Sequence, residues 1–212
     1  CVTAQHREML DQVLALFHIQ PDHDLDLMRP DQSLANLTAS ILTNLDPVLV
    51  RENPDWVLVQ GDTTTVMAAS LLAYYNHIRV GHVEAGLRTG DKWQPFPEEI
   101  NRKVAGVVAD LHFAPTEWSR QNLLRESVPD DQICVTGNPI IDALQHVSAQ
   151  APDAQTLELF ARLNLSPDAS RVVPPGKDGH PFLVVVTAHR RENFGKPLED
   201  ICRALLQLVD RY

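Results

Sequence analysis

Three carboxylates of this sequence stand where predicted strands end or a predicted helix begins. Asp62 comes after the apolar run 56–59, and Glu84 comes after the apolar stretch 78–83. Glu98 opens the helix that is predicted after a loop rich in Gly and Pro. In open α/β sheets, ligands bind at the carboxyl ends of the strands, so we expect the three carboxylates to face one crevice. Carboxylates placed there can transfer protons or stabilise positive charge on a substrate.

Two of these acids also have a structural interpretation. Asp62 could cap the helix that follows it, because Asp is favoured at that position. Glu84 could be a solvated loop acid that pairs with Arg88. His82 and His112 lie inside predicted strands and are interpreted as core histidines rather than ligands. The residues alone leave both interpretations of Asp62 and Glu84 open.

The third acid has an equally good structural alternative. Glu98 and Glu99 lie in the first turn of a predicted helix, where the helix dipole favours acids. Arg102, one turn further on, could pair with one of them. A metal site built from the acids and histidines named here is disfavoured, because no pair has a helix-type ligand spacing such as H-E-x-x-H. We therefore expect no metal.

Strands and helices alternate along the chain with short connections. Strands are predicted at 56–59, 78–83, 111–114 and 132–135, and helices at 5–17, 33–50, 61–75, 98–108, 116–125, 139–147 and 157–163. Ser33 and Thr116 are predicted N-caps, and Pro47 should kink or restart its helix. This alternation predicts an α/β fold with a doubly wound parallel sheet.

A Pro- and Gly-rich segment divides the chain. Residues 166–181 are the predicted linker between a first domain at 1–165 and the beginning of a second domain at 182–212. A new apolar strand and then the turn His189-Arg190-Arg191 follow the linker. This basic turn could bind phosphate, because Arg can engage two oxygens at once, or it could simply face solvent.

The composition excludes several functional classes. The formal net charge is −10, which argues against a general nucleic-acid binder, because phosphate neutralisation needs a basic surface. A few arginines would still suffice for an anionic small ligand. We recognise no signal peptide, and no apolar run approaches the ~18 residues that a membrane-spanning helix needs. Neither nucleic acid nor membrane is expected as a partner.

The cysteines and the chain ends carry further expectations. Cys1, Cys134 and Cys202 are too dispersed for a disulfide framework or a CxxC metal motif, which favours a reduced, cytoplasmic setting. Cys134 and Cys202 have apolar sequence neighbours and are predicted to lie in the core. The chain opens on Cys1 in what resembles the tail of a strand, and it ends in a predicted helix with no strand after it. We therefore expect both ends to lie inside a larger α/β protein.

Several strings resemble the non-hydrolysing UDP-N-acetylglucosamine 2-epimerase family and occur in the family's order. They are Thr3-Ala4-Gln5-His6-Arg7, Gly61-Asp62-Thr63-Thr64-Thr65, Gly81-His82-Val83-Glu84-Ala85-Gly86-Leu87-Arg88-Thr89, Pro97-Glu98-Glu99, Asn101-Arg102, Thr136-Gly137-Asn138 and Thr187-Ala188-His189-Arg190-Arg191-Glu192-Asn193. The resemblance implies two Rossmann-like domains in the B-type glycosyltransferase arrangement, both incomplete in this chain. It also implies interconversion of UDP-GlcNAc and UDP-ManNAc through loss and re-addition of UDP, without metal or redox cofactor, in a cytoplasmic homodimer that supplies polysaccharide synthesis.

The resemblance also assigns roles to individual residues. It implies that Asp62, Glu84 and Glu98 are the catalytic acids and that His189 contacts the substrate from across the cleft. Further substrate contacts are expected from Arg88, Arg102, Arg190, Gln5 and His6. Two parts of the family have no match here. They are its first strand with the Gly-Thr-Arg-Pro-Glu loop, and the half of the second domain that binds uridine. An incomplete site is therefore expected. The alternatives are a hydrolysing epimerase that releases ManNAc and a non-catalytic fragment.

Overall fold

The computed structural model describes residues 1–4, 7–27, 29, 31–163, 165, 185–188 and 194–211. Two compact units divide the chain, Cys1–Val147 and Ser148–Tyr212. The predicted linker 166–181 lies outside the described residues, so the predicted domain limits stay predictions. Across the described ranges, no helix combines the length and apolarity that crossing a membrane requires.

The first unit is built on a parallel sheet of four strands. The strands are β1 Trp56–Gln60, β2 Arg79–Val83, β3 Leu111–Ala114 and β4 Ile133–Val135. They lie side by side in chain order, and every pairing is parallel. All four strands therefore have their carboxyl ends on the same side of the sheet, as the alternating pattern predicts.

Eight helices occur among the described residues. They are α1 Arg7–Leu16, α2 Leu34–Glu52, α3 Thr64–Tyr75, α4 Glu98–Val108, α5 Glu117–Arg125, α6 Pro139–Ser148, α7 Ala154–Arg162 and α8 Lys196–Arg211. Helices α7 and α8 belong to the second unit. Ser33, Thr63 and Thr116 precede α2, α3 and α5, and each accepts a hydrogen bond from the amide three residues further on. The predicted caps Ser33 and Thr116 are confirmed, and the alternative role of Asp62 as a cap is wrong, because Thr63 occupies that position.

Helix α2 runs through Pro47 without interruption, so the predicted restart is wrong. Its buried stripe includes Ile41, Leu45 and Val48, which lie on both sides of the proline. Proline removes one backbone hydrogen bond from a helix. Packing of this stripe on α3 and the sheet keeps the helix continuous despite that loss.

The main core lies between α2, α3 and the first two strands. Ile41, Ala68, Ala73 and Val80 are completely buried there. A second, smaller cluster joins α5 to β3 and β4 around Leu123. The two clusters cover the sheet that carries the strand ends.

The cysteines correct one prediction. Cys134 and Cys202 are exposed, as is Cys1, so neither lies in the core. Strand β4 is at the edge of the sheet, and Ile133 is its only buried residue. Apolar neighbours in the sequence therefore did not indicate burial at Cys134.

Candidate active site

Asp62 lies in the turn between β1 and α3. Gly61 directly before it has a backbone φ of +83°, a conformation that L side chains rarely adopt, and its amide donates to the carbonyl of Val83 at 3.0 Å. The Asp62 carboxylate accepts a hydrogen bond from the Arg102 guanidinium. The backbone carbonyl of Asp62 accepts another from the side-chain amide of Asn101 at 3.0 Å. The Asp62 side chain is 27% exposed. This acid is therefore held by α4 while one side stays open to solvent.

His82 supports the same turn from within the sheet. Its ring is buried, and its Nε2 lies 2.7 Å from the carbonyl of Gly61. Burial lowers the pKa of His82, so the neutral ring donates from Nε2 to that carbonyl. The prediction of a core histidine is confirmed here and at His112, which is equally buried and pairs with His82 in the strand register.

Glu84 ends β2 and reaches toward the turn that carries Asp62. Its backbone φ is 63°, in the left-handed region that costs a residue with a side chain of order 1 kcal/mol or more. Its Oε1 accepts a hydrogen bond from Nδ2 of Asn138 at 3.1 Å. Its Oε2 lies beside Gly61: a side chain at position 61 would place its Cβ 3.5 Å from this oxygen. Glu84 and the Asp62 turn therefore border the same space at the carboxyl end of the sheet.

Arg88 does not pair with Glu84, so the alternative pairing is wrong. Its Nε and one terminal nitrogen donate to the two carboxylate oxygens of Glu126, at 2.8 and 2.6 Å. The remaining nitrogen donates to the carbonyl of Leu87 at 2.8 Å, and the side chain is only 8% exposed. The guanidinium holds the pKa of Glu126 below its usual range. This geometry favours attachment of the β2–α4 loop to α5, and a substrate contact by Arg88 stays a prediction.

The neighbours Glu98 and Glu99 have different environments at the start of α4. Glu99 is completely buried, and its carboxylate accepts hydrogen bonds from the amides of Thr89 and Gly90 at 3.2 and 3.3 Å. It also lies 3.4 Å from Arg102, which is therefore shared between Glu99 and Asp62. Glu98 is half-buried, and no side chain or backbone group of the described residues bonds its carboxylate. Glu99 anchors the loop, whereas Glu98 remains available to a ligand.

The structure brings together part of the predicted site. Hydrogen bonds join the Asp62 turn to Arg102, and Glu84 borders that turn. Glu98 lies one helical turn before Arg102 on α4. The predicted site residues Gln5, His6, His189 and Arg190 lie outside the described residues.

The predicted pairing of Arg102 with one of the two acids before it is confirmed at Glu99, but residue-level prediction did not identify Asn101, Asn138 or Glu126 as partners. Asn101, Asn138, Glu99 and Glu126 bond the predicted site residues or anchor their loops. Only Asn138 has a local signal, because Asn directly before a proline at a helix start is typical of an N-cap. No group of three metal-ligating side chains occurs in the part of the chain that the structure describes.

Comparison with known families decides the relationship of this chain. The family model of UDP-N-acetylglucosamine 2-epimerase matches residues 1–212. The chain belongs to this family. A UDP-N-acetylglucosamine 2-epimerase of Escherichia coli O157:H7 is 53% identical over 209 residues, which cover 99% of this chain and 53% of the relative. One of Yersinia pestis is 53% identical over 212 residues, which cover all of this chain and 54% of the relative.

Two solved structures are similar to the whole length of this chain. The Neisseria meningitidis enzyme bound to UDP-GlcNAc has a TM-score of 0.83 at 48% identity, covering 100% of this chain and 54% of that one. The S. aureus MnaA–UDP structure has a TM-score of 0.85 at 44% identity, covering 100% and 51%. The predicted fold class is thus confirmed, an α/β chain in the B-type glycosyltransferase arrangement of this family. The chain spans about half the length of the curated relatives it matches.

Proposed function

We propose that this chain carries the acid–base residues of an enzyme that reversibly epimerises UDP-GlcNAc to UDP-ManNAc at C2 without net hydrolysis. The observation that carries the proposal is that Glu84 borders the turn of Gly61 and Asp62 at the carboxyl end of a parallel sheet. Glu98, with no bonded partner among the described residues, opens the helix that holds Asp62 through Arg102. Membership of the family and the UDP-GlcNAc bound to the Neisseria meningitidis relative support this substrate class.

The reaction divides into two steps. In the first step, a carboxylate takes the proton from C2, its electron pair forms the C1–C2 double bond, and the C1–O bond breaks. UDP leaves with the electrons of that bond, and the sugar becomes a 2-acetamidoglucal. In the second step, C2 receives a proton on its other face and a UDP oxygen adds to C1. Two faces require more than one acid–base group, which Asp62, Glu84 and Glu98 can supply.

Cationic character at C1 gives the carboxylates a second function. Cleavage of an anomeric C–O bond proceeds through an oxocarbenium-like transition state, which nearby negative charge stabilises. Arg102 holds the Asp62 carboxylate in place during this step. His189, Arg190, Gln5 and His6 would supply further contacts to the UDP-sugar. A cytoplasmic homodimer that supplies cell-envelope polysaccharide precursors completes the proposal.

A solvent-exchange experiment tests this function. The protein, expressed from its complete reading frame, is incubated with UDP-GlcNAc in D2O, and the products are followed by NMR. The proposal predicts intact UDP-ManNAc with deuterium at C2 in both sugar nucleotides. Free ManNAc together with UDP would assign the hydrolysing reaction instead. Unchanged UDP-GlcNAc without deuterium would indicate a non-catalytic protein.

A further inference from the structure

Asn138 connects a helix start to one of the candidate catalytic acids. Its Nδ2 donates to Oε1 of Glu84 at 3.1 Å, across 54 positions of sequence. Its Oδ1 accepts from the amide of Ile140 at 3.1 Å, and its carbonyl accepts from the amide of Ile141 at 3.0 Å. Asn138 is therefore the N-cap of α6, with Pro139 in the first helical position.

The two bonds fix which way the amide of Asn138 faces. An amide rotated by half a turn would place its oxygen against the Glu84 carboxylate, so that two acceptors would meet. The same rotation would place the NH2 group against the amide of Ile140, so that two donors would meet. Only one orientation satisfies both neighbours, and it directs a donor at Glu84. The cap thus determines the orientation of the group that holds the acid.

Glu84 depends on this one contact for its side-chain position. Within the described ranges, no other hydrogen bond or ion pair reaches its carboxylate. A glutamate side chain has several rotatable bonds, and its backbone here is already in the left-handed region. The bond to Oε1 restrains one oxygen and leaves Oε2 directed at the Asp62 turn, 3.5 Å from the position of a Cβ on Gly61.

We propose that Asn138 is the positioning residue for Glu84 and that it holds the carboxylate in the geometry from which it acts on the sugar. This inference rests on the proposed epimerase function. Asn138 does not itself transfer a proton; it limits the orientations of Glu84. A displacement of about 1 Å at a reacting group can cost 10²-fold in rate, so loss of the bond should reduce kcat more than it changes KM.

Substitutions can separate the cap from the bond to Glu84. Asn138→Ser retains an oxygen that caps α6 but has no group that reaches Glu84 as the amide does. Asn138→Asp has the same size and retains the capping oxygen, but it replaces the donor with a carboxylate oxygen facing Glu84. Ser33→Ala is the matched control, because Ser33 caps α2 through the amide of Asn36 and contacts none of the site residues.

The measurement is kcat and KM for UDP-GlcNAc epimerisation, with Tm for each variant, in the protein from its complete reading frame. We expect kcat to fall by about 10- to 100-fold in Asn138→Ser, and further in Asn138→Asp, with KM within about threefold of wild type. Ser33→Ala should lower Tm by a few degrees, because α2 loses its cap, and leave kcat unchanged. If both Asn138 variants keep wild-type kcat, whatever their Tm, Asn138 only caps its helix and the inference is wrong. An inactive wild-type protein would instead overturn the proposed function on which the inference rests.

Discussion

Arg102 stands between two carboxylates. It bonds Asp62 and lies 3.4 Å from Glu99, while its own side chain is 10% exposed. Removal of this guanidinium would leave Asp62 without its ion-pair partner and the buried Glu99 with only Lys103, 3.9 Å away. Because a buried ion pair that loses one partner is strongly destabilised, Arg102 matters for stability as well as for the position of Asp62.

Arg102→Met should therefore reduce the free energy of unfolding by about 3 kcal/mol and abolish epimerisation. Arg102→Lys should retain more of the stability, because the charge remains, but it should lose activity, because Lys cannot engage two carboxylates in one plane. Urea titration and product assays measure the two effects. Arg51→Met is the control, since Arg51 pairs with Glu52 at the surface and such pairs contribute at most about 1 kcal/mol. Equal losses in Arg51→Met and Arg102→Met would contradict this account of Arg102.

Glu98 and Glu99 provide a second comparison between chemically identical neighbours. Glu98→Gln should leave Tm unchanged, because no described residue bonds its carboxylate, and should abolish exchange of the C2 proton. Glu99→Gln should lower Tm by several degrees, because the buried carboxylate holds the amides of Thr89 and Gly90 and faces Arg102. Thermal unfolding and deuterium exchange on both variants give the answer. A destabilised Glu98→Gln with normal exchange would reverse the two assignments.

Strands β2 and β3 place two neutral histidines side by side. His82 and His112 pair in the strand register, and Nδ1 of each ring is buried without a hydrogen-bond partner among the described residues. Burial lowers the pKa of both rings. The pKa of His112 falls from 6.5 to about 4, with burial as the main cause and the neighbouring His82 as the second. A second proton, on Nδ1 of either ring, would have no acceptor among the described residues.

The folded protein should therefore lose stability in mildly acidic solution. Below pH 6.5 the unfolded chain binds protons on these rings, whereas in the folded chain both rings resist protonation, His112 until about pH 4. The free energy of unfolding should be constant above about pH 7 and should fall between pH 6.5 and pH 4. Urea unfolding at intervals of half a pH unit tests this, with His112→Gln as a variant that loses part of the slope. A flat profile over this interval would show that the two rings are not held neutral.

Helix and strand limits could be predicted because they depend on neighbouring residues. Apolar runs flanked by polar residues located all four strands, and Ser33 and Thr116 located two helix starts. Thr63 and Asp62 could not be separated in this way, because both are good caps and only the tertiary bond from Arg102 removes Asp62 from that role. The exposed Cys134 was missed because edge position depends on the order of strands, which hydrophobicity does not encode.

The site could be predicted only as far as the reacting groups. Asp62 and Glu84 each follow a strand. Because parallel strands end on the same side of the sheet, the fold class predicts that the two acids lie on that side. Their supports are remote in sequence: Asn101 is 39 positions from Asp62, and Asn138 is 54 from Glu84. No local pattern specifies such partners, since they depend on how α4 and α6 pack beside the sheet.

Nucleotide binding by the 212 residues themselves is a separate, testable property of the molecule. The chain spans about half the length of the curated relatives it matches. The resemblance assigns uridine binding to a part of the family that the chain does not match. We expect the 212-residue chain to bind UDP with a Kd of about 1 mM or weaker, equivalent to roughly −4 kcal/mol. Isothermal titration calorimetry measures it. Micromolar binding would mean that these residues alone supply the nucleotide contacts.

The proposed function depends on proton transfer at C2 by the acids beside Gly61. The measurement is deuterium incorporation at C2 of UDP-GlcNAc in D2O by the protein from its complete reading frame. Asp62→Asn and Glu84→Gln should each reduce exchange by at least about 10²-fold. Asp110→Asn should not reduce exchange, because Asp110 bonds the backbone amide of Val80 near the amino ends of the strands, away from the candidate site. Near-normal exchange in Asp62→Asn or Glu84→Gln would contradict the catalytic role of that residue, and normal exchange in both would contradict the site.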